Sequence, residues 1–232
     1  MKDRLIVALD TATLNEAEAL VDKLYPLVKL YKIGSQLFCA KGPDAVRAIN
    51  KKGARVFLDL KFHDIPNTVS KAIEAAAGLN PFMLNIHASG GAEMIKSAAA
   101  AMKLLPQKTR PALLAVTVLT SIDKKALKQL GITRSPAKQV VYLAKLAQQN
   151  GADGVVCSPA EVKEVRKSCG RDFIIVTPGI RSGTDKKFDQ KRTAAPKEAI
   201  ENGADYIVVG RPVTAAVDPK KAAEEIIRQW MC

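Results

Sequence analysis

The chain reads as a single α/β domain, residues 1–232, folded as a (β/α)8 barrel of the TIM type. Three observations predict it. Short apolar runs rich in Val, Ile and Leu alternate with amphipathic stretches from end to end, and eight such strands can be counted. No Ser/Gly linker divides the chain, and its 232 residues are close to the barrel's common size of about 250. The competing fold, a doubly wound open sheet, predicts G-x-G-x-x-G after the first strand, and none follows it.

The elements follow in order. Residues 5–10, Leu5-Ile6-Val7-Ala8-Leu9 closing on Asp10, form strand one, and 14–24 are helical. Strand two spans 28–34 and ends Tyr31-Lys32-Ile33-Gly34, with a helix over 44–51 behind it. Strand three, 55–61, is apolar through Leu58 and turns charged at Asp59 and Lys61; helix 69–77 follows. Strand four, 82–87, carries Asn85 and His87, and helix 92–104 comes next. Strand five, 113–119, runs into Thr120-Ser121, and helix 137–150 into strand six, 154–158. Helix 159–168 and strand seven, 173–177, precede a connection over 178–193 that is rich in glycine and charge. Loops of that length in a compact domain are functional lids or disordered segments. Helix 196–202, strand eight over 206–210 and helix 219–231 complete the series. Asn150-Gly151-Ala152-Asp153 and Asn202-Gly203-Ala204-Asp205 are matching helix-stop and strand-entry signals.

Composition narrows the function. At 47% hydrophobic and 25% charged residues the chain has enough apolar material for one sizeable core. No apolar stretch approaches the ~20 residues that span a bilayer, so no membrane role is expected. The first apolar segment is too short for a signal peptide, and the expected compartment is the cytoplasm. Four cysteines show neither C-x-x-C nor zinc-ligand spacing and are expected as free thiols, mostly buried. Two histidines exclude a three-histidine metal site and argue against a serine-type triad. The net charge of +13 is dispersed in small groups such as Lys51-Lys52 and Lys220-Lys221, without a basic arm or RNP-like pattern. That is a solvated basic surface, useful for steering a small anionic substrate rather than for nucleic acid.

The most informative stretch is Asp59-Leu60-Lys61-Phe62-His63-Asp64-Ile65-Pro66-Asn67-Thr68. Alternation along a strand points Asp59 and Lys61 the same way, while Asp64 falls in the loop beyond. Two carboxylates and an ammonium at a strand end are costly unless they pair or hold a ligand. Alone, D-x-K-x-x-D reads as a surface salt-bridge cluster. Here it has company at other strand ends, where barrels build active sites. Asp10, Lys32, Asn85, His87, Thr120, Ser121, Arg181, Gly210 and Arg211 all fall there. Gly210-Arg211-Pro212 sits at the usual phosphate site of barrels, and Gly179, Arg181 and Gln190 come from the long connection.

These residues carry a resemblance. The chain resembles the orotidine 5'-monophosphate decarboxylase family in the ten-residue stretch above, in Val7-Ala8-Leu9-Asp10 and in Tyr31-Lys32-Ile33-Gly34. The likeness continues through Asn85-Ile86-His87-Ala88, Leu119-Thr120-Ser121 and Thr177-Pro178-Gly179-Ile180-Arg181, then Asp189-Gln190-Lys191-Arg192 and Val209-Gly210-Arg211-Pro212. The pieces come in the family's order and cover essentially the whole chain.

The resemblance implies a decarboxylation of orotidine 5'-monophosphate to uridine 5'-monophosphate and CO₂, the last step of de novo pyrimidine nucleotide synthesis. No cofactor and no metal are implied. Lys61, Asp59, Asp64 and Lys32 would be catalytic. Asp10 and Lys32 would bind the ribose, Thr120 and Ser121 the pyrimidine edge, and Arg181, Gln190, Gly210 and Arg211 the phosphate. Asp64, Ile65 and Thr68 would reach the site of a second subunit, which implies a homodimer. A Mg²⁺-dependent sugar-phosphate decarboxylase of the same suprafamily is the nearest alternative, although strand four adds no extra carboxylate. A non-catalytic phospho-ligand or nucleic-acid binding protein is the other, and such a module has no need of the Lys–Asp array.

Overall fold

A computed structural model describes residues 3–180 and 193–231. Eight parallel strands close into one barrel in sequence order, β1 next to β2 and so on to β8, which pairs back with β1. The strands are β1 Leu5–Ala8, β2 Leu30–Gly34, β3 Arg55–Phe62, β4 Met83–His87, β5 Ala112–Val116, β6 Gly154–Val156, β7 Ile174–Thr177 and β8 Tyr206–Val209. The barrel the sequence predicts is the barrel observed.

The helices form the outer ring: α1 Leu14–Leu24, α2 Ser35–Lys41, α3 Pro43–Lys51, α4 Pro66–Ala77, α5 Gly91–Lys103 and α6 Lys124–Gln129. They continue with α7 Pro136–Gln149, α8 Val162–Cys169, α9 Pro196–Glu201, α10 Arg211–Thr214 and α11 Pro219–Arg228. Their starts are written in the sequence. Thr13 and Glu16 form a capping box on α1, while Ser135 caps α7 and Asp218 caps α11, each followed by proline.

The two Asn-Gly-Ala-Asp segments act alike. Gly151 and Gly203 take φ of 92° and 107°, the left-handed turn out of a helix that glycine adopts without a Cβ penalty. The aspartate that follows each then clamps a neighbouring strand. Asp153 accepts from the Leu113 N–H at 2.8 Å, and Asp205 accepts from the Ile175 N–H at 2.7 Å and the Arg166 guanidinium at 2.6 Å.

Alternation splits the core into two layers. Outward side chains such as Val7, Tyr31, Ile33, Leu58, Leu84 and Val209 pack under the helices. Inward ones, Ile6, Ala8, Leu30, Phe57, Met83, Leu114, Val176 and Val208, fill the barrel. At its N-terminal end the Phe82 and Tyr206 rings meet edge to face with centroids 6.0 Å apart, and the Arg55 guanidinium lies 4.4 Å from the Phe82 centroid. The inward positions above the apolar layer are the polar ones.

Candidate active site

At the C-terminal end of the barrel, β2 and β3 deliver Lys32, Asp59 and Lys61 to one place. The register pairs Lys32 with Phe57, the last apolar inward residue of β3, and Gly34 with Asp59, so the charged groups begin where the apolar filling ends. Asp59 is only 8% exposed, and both its oxygens are used. Oδ1 accepts from the Lys61 ammonium at 2.6 Å and from Asn85 Nδ2 at 2.7 Å, and Oδ2 lies 3.4 Å from Lys32 Nζ. Lys32 Nζ also donates to Asp10 Oδ1 at 3.0 Å. The result is a continuous row, Asp10–Lys32–Asp59–Lys61, in which each inner charge has opposite neighbours. Pairing of this kind is what lets charges persist where water is scarce.

Local backbone geometry aims the row. Lys61 has φ of 54°, a left-handed conformation that costs a non-glycine residue about 1–3 kcal/mol. The β3–β4 register shifts between Leu58 and Phe62, and bulges of this sort re-aim side chains beside active sites. Asn85 braces the distortion, because its Oδ1 accepts from the Lys61 N–H at 2.7 Å. Gly34 leaves the necessary room: a Cβ there would come within 2.9 Å of Lys32 Nζ and 3.4 Å of Asp10 Oδ1. His87, at the end of β4, faces His63 with ring centroids 5.4 Å apart. Burial, with His63 and Lys61 adding to it and Asp59 opposing, lowers the His87 pKa from its usual value, so the ring is neutral at pH 7.

The row lines a cavity of about 410 Å³. Ala8, Phe57, Val116, Val156 and Val208 make its apolar floor, and Asp10, Lys32, Asp59 and Lys61 one wall. Thr120, Pro178, Gly179, Gly210, Arg211 and Thr214 make the rim. A Cβ on Gly210 would meet nothing closer than 3.7 Å, so packing within the chain does not demand glycine there. The size suits one nucleotide-sized ligand, and the mixture of apolar floor and convergent charges suits an anionic one. Among the described residues, no group of three or more His, Cys, Asp or Glu is placed to hold a metal ion.

Of the residues singled out in the sequence, Asp10, Lys32, Asp59, Lys61, Thr120, Gly210 and Arg211 come together around this cavity. Asp64, Ile65 and Thr68 do not line it. They are exposed on the loop after β3 and the first turn of α4, and Asp64 Oδ1 accepts from the Ile65 N–H at 2.6 Å. Ser121 is exposed beyond the rim. Arg181 and Gln190 lie outside the described residues. Sequence reasoning missed Cys157, a buried thiol on the cavity wall, and the bridging role of Asn85. Cys157 and Cys169 are buried as expected, whereas Cys39 is exposed.

A closed barrel with a charge-alternating mouth over a nucleotide-sized cavity defines an enzyme of the TIM-barrel class. Residues 3–226 match the family described as Orotidine 5'-phosphate decarboxylase / HUMPS family, and the chain belongs to that family. It is 48% identical to the orotidine 5'-phosphate decarboxylase of Moorella thermoacetica, over 97% of this chain and 91% of that one. The enzyme of that name from Actinobacillus pleuropneumoniae is 47% identical over 97% of this chain and 98% of its own. The crystal structure of orotidine 5'-phosphate decarboxylase from Lactobacillus acidophilus superposes with a TM-score of 0.88 at 42% identity, covering 99% of this chain and 100% of that one.

Proposed function

We propose that this enzyme decarboxylates orotidine 5'-phosphate to uridine 5'-phosphate and CO₂, the closing step of pyrimidine nucleotide synthesis. The observation that carries the reading is the Asp10–Lys32–Asp59–Lys61 row on the wall of the cavity. The reaction breaks the C6–carboxyl bond and leaves the electron pair on C6. That pair lies in the ring plane, out of conjugation with the pyrimidine π system. Fixed charge can stabilise it where delocalisation cannot. The Lys61 ammonium faces the developing carbanion and gives C6 its proton, and the neutral amine regains one from water. Asp59 stands beside the departing carboxylate, and their repulsion ends as CO₂ leaves. Lys32 and Asp64 complete the charge set.

The rest of the nucleotide is held around this centre. Asp10 and Lys32 bind the ribose hydroxyls, and Thr120 and Ser121 face the pyrimidine edge. Gly210 and Arg211, with Arg181 and Gln190, hold the phosphate, far from C6 but able to help assemble the site. Asp64, Ile65 and Thr68 serve the site of a second copy of the chain in a homodimer. Their exposure beside a cavity they do not line supports that reading. The enzyme works in the cytoplasm, where its charged nucleotide substrate, which does not cross bilayers unaided, is made and used. Among the described residues, no helix is long and apolar enough to cross a membrane.

An ultraviolet assay of the purified protein with orotidine 5'-phosphate tests the reading. Turnover is expected, and it is expected to be indifferent to EDTA, unlike that of a Mg²⁺-dependent sugar-phosphate enzyme. Lys61→Ala should keep the fold and lose nearly all turnover. A variant retaining more than about a tenth of wild-type kcat, a loss under ~1.4 kcal/mol, sinks the role given to Lys61.

A further inference from the structure

We infer that Asn85 is a positioning residue for the decarboxylation, holding the Lys61 backbone and the Asp59 carboxylate with one carboxamide. The inference rests on the roles given above to Lys61 and Asp59. Asn85 is 0% exposed and does not line the cavity, so it acts only through its neighbours. Both ends of its amide are committed. Oδ1 accepts from the Lys61 N–H at 2.7 Å, and Nδ2 donates to Asp59 Oδ1 at 2.7 Å. One partner is a pure donor and the other an ionised acceptor, so a carboxamide satisfies both where an isosteric carboxylate cannot.

The two contacts act on the same catalytic distance. The bond to the Lys61 N–H supports the left-handed φ of 54°, which sets where the lysine side chain leaves the strand. The bond to Asp59 Oδ1 occupies the oxygen that receives the Lys61 ammonium, and so fixes where that ammonium rests. Removing the amide frees both ends of the Lys61 side chain at once, and it leaves a buried N–H and a buried carboxylate oxygen each short of a partner. Of the titratable and charged groups around Asn85, Asp59 and Lys61 come from β3, Lys32 from β2 with Asp10 behind it, and His87 from β4 with His63 against it.

The test compares wild type, Lys61→Ala, Asn85→Ala and Asn85→Asp on orotidine 5'-phosphate, with folding followed by circular dichroism. Asn85→Ala is expected to lower kcat about a hundredfold with KM within a few-fold, because the side chain touches no substrate and small misplacements of a catalytic group are costly. Asn85→Asp is expected to fall as far near pH 8, where two carboxylates face each other without a donor. Between about pH 8 and pH 5.5 its kcat relative to wild type should recover about tenfold, as a proton shared by the two carboxyls restores a donor. Taking the ratio to wild type removes the titration of the substrate, and repeating it in a His87→Gln background removes that of His87, whose pKa responds to neighbouring charge. A flat ratio overturns the inference, as does an Asn85→Ala enzyme within about threefold of wild-type kcat. If Asn85→Ala does not fold, the pH ratio of Asn85→Asp decides alone. An inactive wild type overturns the proposed function and this inference with it, while an active Lys61→Ala overturns the role given to Lys61 and with it this inference alone. An active wild type, a dead Lys61→Ala and near-normal Asn85 variants overturn the Asn85 role alone.

Discussion

Gly34 and Lys32 are two residues apart, and their contact shows how little space the charge row leaves. The backbone of Gly34, at φ of −94°, is one any residue adopts, so alanine there meets no conformational penalty. Its Cβ would instead meet the Lys32 ammonium at 2.9 Å. A lysine tip moves aside cheaply, but it cannot do so and still face both Asp10 and Asp59. Gly34→Ala should therefore leave the melting temperature nearly unchanged while kcat/KM falls by about tenfold or more. Unaltered kcat/KM would show that the Lys32 position is slack. At this scale the sequence was informative where chemistry and alternation coincide: Asp59 and Lys61 share a face because they are two apart on a strand. It placed Asn85 at a strand end but was silent on its partnership with Lys61, which spans 24 residues and depends on a register shift that no local pattern encodes.

Glycine does a different job within an element at Gly154. In β6, a three-residue strand, a Cβ at this position would lie 2.6 Å from Ile174 Cβ and clash with the Ile174 carbonyl oxygen. A paired backbone cannot step aside as a lysine tip can. Gly154→Ala should therefore destabilise the barrel by about 1–3 kcal/mol. In thermal melts that corresponds to a fall of roughly 2–12 °C in a chain of this size. Catalysis measured well below the transition should stay near normal, the reverse of the Gly34 outcome, and an unchanged melting temperature would contradict the packing argument. The elements that escaped the sequence are those with weak periodic signals. In α2 only Leu37 is buried and in α6 only Leu127, so neither short helix offers an apolar repeat. The longer helices, with several buried positions each, were legible. Strand starts fell close to expectation, but β1 and β6 stop at Ala8 and Val156, earlier than expected, because apolar residues continue past the point where pairing ends.

For the whole molecule, the decisive question is what meets the exposed run from Asp64 to Thr68. Ile65 is 67% exposed, large and apolar, beside the carboxylate proposed to complete the charge set. A single barrel offers the cavity three charges in direct contact with Asp59 or its partners, and leaves Asp64 outside. If a second copy supplies Asp64, Lys61→Ala and Asp64→Ala homodimers should each be nearly inactive. In a mixed dimer, one site then takes the altered Lys61 of one chain and the altered Asp64 of the other, and carries both lesions. The second site carries neither, so activity should return to about half of wild type per dimer on a two-site count. Were both residues to serve the same chain's site, each site would carry one lesion and mixing would restore nothing. Subunit exchange is established first by mass spectrometry of differently tagged copies. Absence of rescue after proven exchange would reject the shared site, while the barrel, the cavity and the Lys61–Asp59 pair would stand.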